Sequence, residues 1–185
     1  MAHILAIDTA IAKNTNSLIL MYKNIGDTGA KYLADILATN TKITSINLDG
    51  SCVGDEGVKY LADMLSKNTK ITSINLEGND IGDDGAKYLA NMLVKNTTLT
   101  SLELSYNHIG ETGAKYVIDM LAKNTTLTML DLSFNSISNL EYIDTFIKRN
   151  KNYKGAKPSL REFKKRSIIP AELYRLMCKC VLSLC

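Results

Sequence analysis

The sequence predicts an α/β repeat fold in which short strands alternate with helices, and three observations carry that prediction. First, Leu20, Leu48, Leu76, Leu104 and Leu132 return at intervals of 28 residues along a chain of 185. Second, the same apolar frame surrounds them: Ile43-x-x-Ile46-x-Leu48, Ile71-x-x-Ile74-x-Leu76, Leu99-x-x-Leu102-x-Leu104 and Leu127-x-x-Leu130-x-Leu132. That spacing places apolar side chains on one side of a short strand and turns the intervening residues the other way. Third, the stretches between frames carry Ala30, Leu33, Ala34 and Leu37, or Ala86, Leu89, Ala90 and Leu93, at i, i+3, i+4 and i+7. This is the period of a helix with one buried face.

The elements follow in order. Ile4, Ile7 and Ile11 align with Val58, Leu61 and Leu65 when two residues are removed before Ser17, so a partial first repeat places a helix over the N-terminal edge. Each strand is followed by an apolar residue and a glycine: Ile25-Gly26, Val53-Gly54, Ile81-Gly82 and Ile109-Gly110. Acids then open each helix, namely Asp27, Asp55-Glu56, Asp83-Asp84 and Glu111. Free N–H groups and the positive end of the dipole favour them there. The helices end in Lys67-Asn68-Thr69, Lys95-Asn96-Thr97 and Lys123-Asn124-Thr125, where the cation suits the negative helix end. The Asn is expected to adopt a left-handed capping conformation.

A strand and a helix alternating in a 28-residue unit resembles the ribonuclease-inhibitor-like subfamily of leucine-rich repeats, found also in NOD-like receptors and in repeat proteins of intracellular bacteria. The resemblance runs from Ile4 to Ile147. It implies a right-handed leucine-rich-repeat solenoid, a horseshoe with parallel strands on its concave face and helices on its convex face. It also implies a buried Asn after each strand, bonding the backbone of neighbouring turns. Asn79, Asn107 and Asn135 fill that place, whereas Lys23 and Ser51 do not. Since Ser is too short for the role and Lys costly to bury there, the first two turns are expected to be looser or to cap themselves differently.

Residues 1–149 are assigned to the solenoid, as a partial N-terminal repeat plus about five strand–helix units, and residues 150–185 to a helical C-terminal cap or tail. Beyond Ile137 the repeat decays. Two helical patterns, Ser159 to Ile168 and Ala171 to Leu184, are parted by Pro170. Covering the open end of the solenoid with Leu160, Phe163, Leu173, Leu176 and Val181 is the economical reading. The alternative makes the tail a recruiting element. Ser159-Leu160-Arg161-Glu162-Phe163 faintly resembles a cullin-adaptor box, with Lys164 where Cys is wanted, and Ile169-Pro170-Ala171-Glu172-Leu173 faintly resembles the opening of an F-box.

Composition narrows the function classes. The net charge of +3 is modest and the basic excess lies largely between Lys148 and Arg166, so nucleic acid is not indicated. The N-terminal segment lacks a basic leader and is broken by Asp8 and Lys13, which argues against a signal peptide or a membrane span. Cys52, Cys178, Cys180 and Cys185 are too few and too clustered for a disulfide framework, in keeping with a reducing compartment and a cytoplasmic protein. Zinc at Cys178, Cys180 and Cys185 would need further ligands at proper spacing, and Cys180 fits a packed helical face. Asn96-Thr97-Thr98 and Asn124-Thr125-Thr126 are glycosylation sequons, but the equivalent Asn40 and Asn68 hold the same place without one.

No catalytic constellation is present: His3 and His108 stand apart without a recurring acid partner, and the glycines are single and periodic rather than a phosphate-binding run. The chain is therefore expected to be non-enzymatic, without metal or cofactor. The positive signal is the strand surface facing away from the core. Its outward residues are Ser17, Ile19, Met21 and Tyr22; Ser45, Asn47 and Asp49; Ser73, Asn75 and Glu77; Ser101, Glu103, Ser105 and Tyr106; Met129, Asp131, Ser133 and Phe134. The charges in this set, Asp49, Glu77, Glu103 and Asp131, are all acidic. Five strands span roughly 20 Å, the width of a protein patch. Asp49, Glu77, Glu103, Asp131, Asn47 and Asn75, with Tyr22, Tyr106 and Phe134 as rim anchors, are the expected contact residues for a basic surface on another protein. The expected molecule is a monomeric protein-binding module. Its richness in Asn, Lys and Ile fits an AT-rich genome and, with the resemblance, points to an effector of an intracellular microbe acting in the host cytosol.

Overall fold

A computed structural model describes residues 2–13 and 15–152. In order along the chain are α1 (Ala2–Ala12), β1 (Ser17–Ile19), α2 (Gly26–Leu37), β2 (Ser45–Asn47), α3 (Asp55–Leu65), β3 (Ser73–Asn75), α4 (Asp83–Leu93), β4 (Ser101–Glu103), α5 (Glu111–Leu121), β5 (Met129–Asp131) and α6 (Glu141–Asn152). The five strands form one parallel sheet in the order β1-β2-β3-β4-β5. Each residue pairs with its counterpart one repeat later, as in Ser17 with Ser45, Ser45 with Ser73 and Ser73 with Ser101. This is the expected α/β leucine-rich-repeat solenoid, with the sheet on its concave face and the helices on its convex face.

The frame residues make the core. Leu20, Leu48, Leu76, Leu104 and Leu132 are buried, together with Ile46, Ile74 and Leu102 from the strands and Leu33, Leu61 and Leu89 from the helices. A repeat has no centre of its own, so each apolar face is covered by the units before and after it. At the N-terminal edge α1 sets Ile7 into the same core, as the alignment with Leu61 requires. At the other end α6 packs Ile143, Phe146 and Ile147 against it. The cap expected over 150–185 lies outside the described residues from 153 onward.

Three details differ from the sequence expectations. Ser51 is not too short. It is fully buried, its Oγ donates to Leu20 O at 2.8 Å, and Asn79, Asn107 and Asn135 likewise donate from Nδ2 to Leu48, Leu76 and Leu104 O. The hydroxyl thus reaches the same carbonyl, 31 residues back, that the longer amide reaches elsewhere. Lys23 escapes any burial cost by being exposed, in the turn after β1, the edge strand among the described residues.

Asn68, Asn96 and Asn124 are not left-handed caps, since positive φ among non-glycine residues falls at Tyr22, Asn24, Cys52, Tyr106 and Phe134. They form a second buried ladder. Their Nδ2 atoms donate to Leu37, Leu65 and Leu93 O, carbonyls at the end of the preceding repeat's helix. Their Oδ1 atoms accept from the backbone three residues on, at Ile71, Leu99 and Leu127. One side chain therefore satisfies a helix end and fixes the entry to the next strand. The two sequon asparagines are accordingly consumed inside the fold.

The acids also cap across repeats rather than within their own helices. Asp27 Oδ1 accepts from Gly54 and Gly57 N–H, Asp55 Oδ1 from Gly82 and Gly85, and Asp83 Oδ1 from Gly110 and Gly113. The helix-start residues Gly54, Gly82 and Gly110 have no capping side chain of their own, so the preceding repeat supplies it. Close approach explains the helical glycine. A Cβ on Gly85 would stand 2.6 Å from Asp55 Oδ1.

Candidate protein-binding face

The site is assembled from one short strand and one turn per repeat. Strand pairing sets Asn47, Asn75, Glu103 and Asp131 in adjacent rows, and two residues further on come Asp49, Glu77, Ser105 and Ser133. The chain leaves β2, β3 and β5 through a tight turn closed by an Asx bond. Asn47 Oδ1 accepts from Asp49 N–H at 2.9 Å, Asn75 Oδ1 from Glu77 at 2.8 Å, and Asp131 Oδ1 from Ser133 N–H and Oγ at 2.8 and 2.7 Å. The amide oxygens of Asn47 and Asn75 are thus engaged in shaping the backbone, and Asp131 shares that task with carrying charge.

The next position has the same unusual backbone in all five repeats. Tyr22, Gly50, Gly78, Tyr106 and Phe134 have φ of 56, 57, 61, 54 and 56°. Only glycine occupies this region without cost, so three repeats hold a large aromatic residue in a conformation that disfavours it by roughly 1 to 3 kcal/mol. The ladder of backbone bonds holds the position: Tyr22, Gly50, Gly78 and Tyr106 N–H donate to Asp49, Glu77, Ser105 and Ser133 O. The outcome is a rim of aromatic side chains standing beyond the sheet, with Tyr22, Tyr106 and Phe134 exposed to 70, 52 and 69%. Tyr106 and Phe134 stack, with ring centroids 4.2 Å apart and planes 11° apart. Tyr22 lies instead against Gly50, where a Cβ would come within 2.4 Å of its ring.

The carboxylates influence one another across the rows. Burial and the neighbouring Glu77, Asp131 and Asp49 push the Glu103 carboxyl above its ordinary value. A side-chain hydrogen bond with Asp49 and the charges of Asp49 and Glu77 raise the Tyr22 phenol. The face thus behaves as one acidic field, and a cation placed on it would meet several carboxylates at once.

Of the nine expected contact residues, the fold brings all to the sheet side or its rim, in five consecutive repeats. Ser105 departs from the outward set, for it is buried, and its carbonyl accepts from Asn107 Nδ2 and Gly78 N–H. Sequence reasoning missed the shared left-handed position, although a column of Tyr, Gly, Gly, Tyr and Phe at one register is its visible signal. His108 lies 3.7 Å from Asp80, its counterpart one repeat earlier, and both are exposed. Among the described residues no cluster of His, Cys, Asp or Glu is arranged to hold a metal ion, and no helix is long and apolar enough to cross a membrane. Cys178, Cys180 and Cys185 lie outside the described residues.

Comparison with known proteins bears on the same span. The family model described as the TMOD/LMOD leucine-rich domain matches residues 11–153. Among solved structures, leiomodin-1 actin-binding site 2 superposes with a TM-score of 0.71 at 22% identity, covering 88% of this chain and 92% of that one. The C-terminal domain of Caenorhabditis elegans tropomodulin superposes with a TM-score of 0.66 at 13% identity, covering 82% and 95%. A comparison with curated protein sequences gives no match. At these identities the structural likeness speaks for the fold, and the family match makes the chain a leucine-rich repeat protein.

Proposed function

We propose, from the premise that this chain belongs to the TMOD/LMOD leucine-rich domain family, that it is a non-enzymatic module that grips a basic surface of another protein with its concave face. The observation that carries the reading is the row of Asp49, Glu77, Glu103 and Asp131, with no basic residue among them and an exposed aromatic rim beside it. Interfaces of protein size use aromatic anchors within a charge-complementary field, and five rows offer that width. Asn47 and Asn75 shape the turns that present Asp49 and Glu77. The strand–helix unit of 28 residues also fits the ribonuclease-inhibitor-like subfamily, and the module is read as a cytoplasmic monomer.

One of the similar solved structures is an actin-binding site of leiomodin-1, which makes actin the first partner to assay. The test compares the wild type with a variant carrying Asp49, Glu77, Glu103 and Asp131 all changed to Lys. Affinity for actin, and for proteins captured from lysate, is measured at rising salt. The reading expects salt-sensitive binding that the reversal abolishes; a captured partner held equally by both proteins overturns it. The second reading is a two-part adaptor or effector whose C-terminal helices recruit other machinery such as a ubiquitin ligase. It is favoured only by the patterns at 159–163 and 169–173, both outside the described residues, and truncation after Ala156 separates it from a cap.

A further inference from the structure

The aromatic rim has a gap, and its dimensions and surroundings are specific. Tyr22 leans onto Gly50 and so fills the second row, while Tyr106 and Phe134 pair in the fourth and fifth. In the third row Gly78 carries no ring. A Cβ on Gly78 would meet nothing nearer than Asp49 Oδ1 at 3.4 Å, an ordinary contact, whereas at Gly50 the Tyr22 ring excludes any side chain. The place above Gly78 is therefore open, with an aromatic residue on each side. Two row spacings, roughly 9 to 10 Å, separate the covered second row from Tyr106. A planar group stacked on both sides needs roughly 7 to 8 Å. One flat side chain fits.

The floor is acidic: Asp49, whose carboxylate also accepts from the Tyr22 phenol, reaches the gap with Oδ1, Glu77 immediately precedes Gly78, and Glu103 stands in the neighbouring row. A guanidinium is the side-chain group that is planar, cationic, able to stack on aromatic faces and able to fork onto a carboxylate, whereas an ammonium has no plane to stack. We infer that the open place above Gly78, between Tyr22 and Tyr106, is a notch that receives an arginine side chain of the protein partner. The inference rests on the concave-face reading and sharpens it, since it chooses arginine over lysine at one row of the sheet.

Blocked oligo-arginine and oligo-lysine peptides of equal length are titrated against the full chain at fixed ionic strength, with amide resonances read by NMR. The arginine peptide is expected to bind roughly two- to fivefold tighter, the range that a cation over an exposed aromatic face supports. Gly78, Tyr22 and Tyr106 are expected among the most shifted amides. G78Y closes the gap with a residue that the same backbone position already holds at Tyr22 and Tyr106, and should erase the arginine preference while leaving weak lysine binding. G78N, small and tolerant of positive φ, should keep it. Because G78Y could fold poorly, Y106G provides an independent arm. It removes one wall, gives the left-handed position its preferred residue, and should also erase the preference. Equal binding of the two peptides by the wild type, or a preference surviving in folded G78Y or Y106G, overturns the notch. If the four-site Lys reversal abolishes binding of both peptides in that case, the concave face stands and only the notch falls; if the reversal changes nothing, the face falls as well.

Discussion

At the scale of the residue, the fold is held by side chains that each serve the repeat after or before their own. Asp55 is a single carboxylate oxygen that accepts from the two N–H groups at the start of α4, Gly82 at 2.7 Å and Gly85 at 3.0 Å. Asp55→Ala removes the acceptor of both bonds and should cost about 1 to 2 kcal/mol, the upper part of the range for a lost helix cap. Asp55→Asn keeps an acceptor oxygen and should cost distinctly less, and midpoints of urea denaturation would rank the three proteins. Protonation offers a second handle on single residues, with opposite signs at two sites. Glu111 accepts from Ser138 N–H and Oγ, which lowers its carboxyl below the ordinary 4.5. Its contribution is present above that value and fades as pH falls through the folded pKa. Glu103 is raised instead, by burial and by like charges. Its ionisation opposes folding, so stability tied to the protonated form is complete below 4.5 and lost as pH climbs through the higher folded value. Glu103→Gln should therefore raise the melting temperature at pH 7 and have little effect at pH 4; a gain of the same size at both pH values contradicts this assignment.

At the scale of the element, the 28-residue period decides nearly everything that burial controls. An apolar side chain one residue out of register would point to the solvent face of the sheet, so the frame around Leu104 could be read directly and the structure buries it. Leu104→Ala, in a repeat covered on both sides, should cost roughly 2 to 5 kcal/mol by chemical denaturation. Polar details were legible as positions but not as partners. The acid at Asp55 and the amide at Asn96 were visible as helix start and stop, yet their bonds reach Gly82 and Leu65, in a different unit from the one that names them. A local rule assigns a cap to its own helix, and only the stacking distance reveals that the next helix lies closer. The same stacking aligns the convex side, where Lys31, Lys59 and Lys87 lie 5.6 to 5.8 Å from the rings of Tyr60, Tyr88 and Tyr116, one repeat ahead. The rim shows the reverse case. The aromatic residues were found by chemistry, but their common left-handed backbone and the open row at Gly78 depend on φ, which apolar periodicity does not encode.

At the scale of the whole molecule, a solenoid is as stable as the contacts between neighbouring units, and its ends are where those contacts run out. The described C-terminal end is closed by α6, whose buried Arg149 replaces the asparagine ladder. Its Nη2 donates to Leu121 O at the end of α5 and to Asn124 O in the turn beyond it, while Nε donates to Asn150 Oδ1 at 2.8 Å. The guanidinium also lies 5.0 Å from the centre of the Phe146 ring. Desolvation lowers its pKa to about 10, so at neutral pH it remains charged and its bonds to the two carbonyls must compensate for the water it lost. Arg149→Leu keeps apolar volume but strips both carbonyls of this donor, which should cost about 1 to 3 kcal/mol. Because repeats couple only to their neighbours, the loss should not spread evenly. Hydrogen exchange is expected to accelerate in α5, β5 and α6, while β2 and β3, three and two rows from β5, keep their protection. A uniform acceleration along the sheet would instead mean that the five repeats unfold as one unit, and that Arg149 secures the whole solenoid rather than its end.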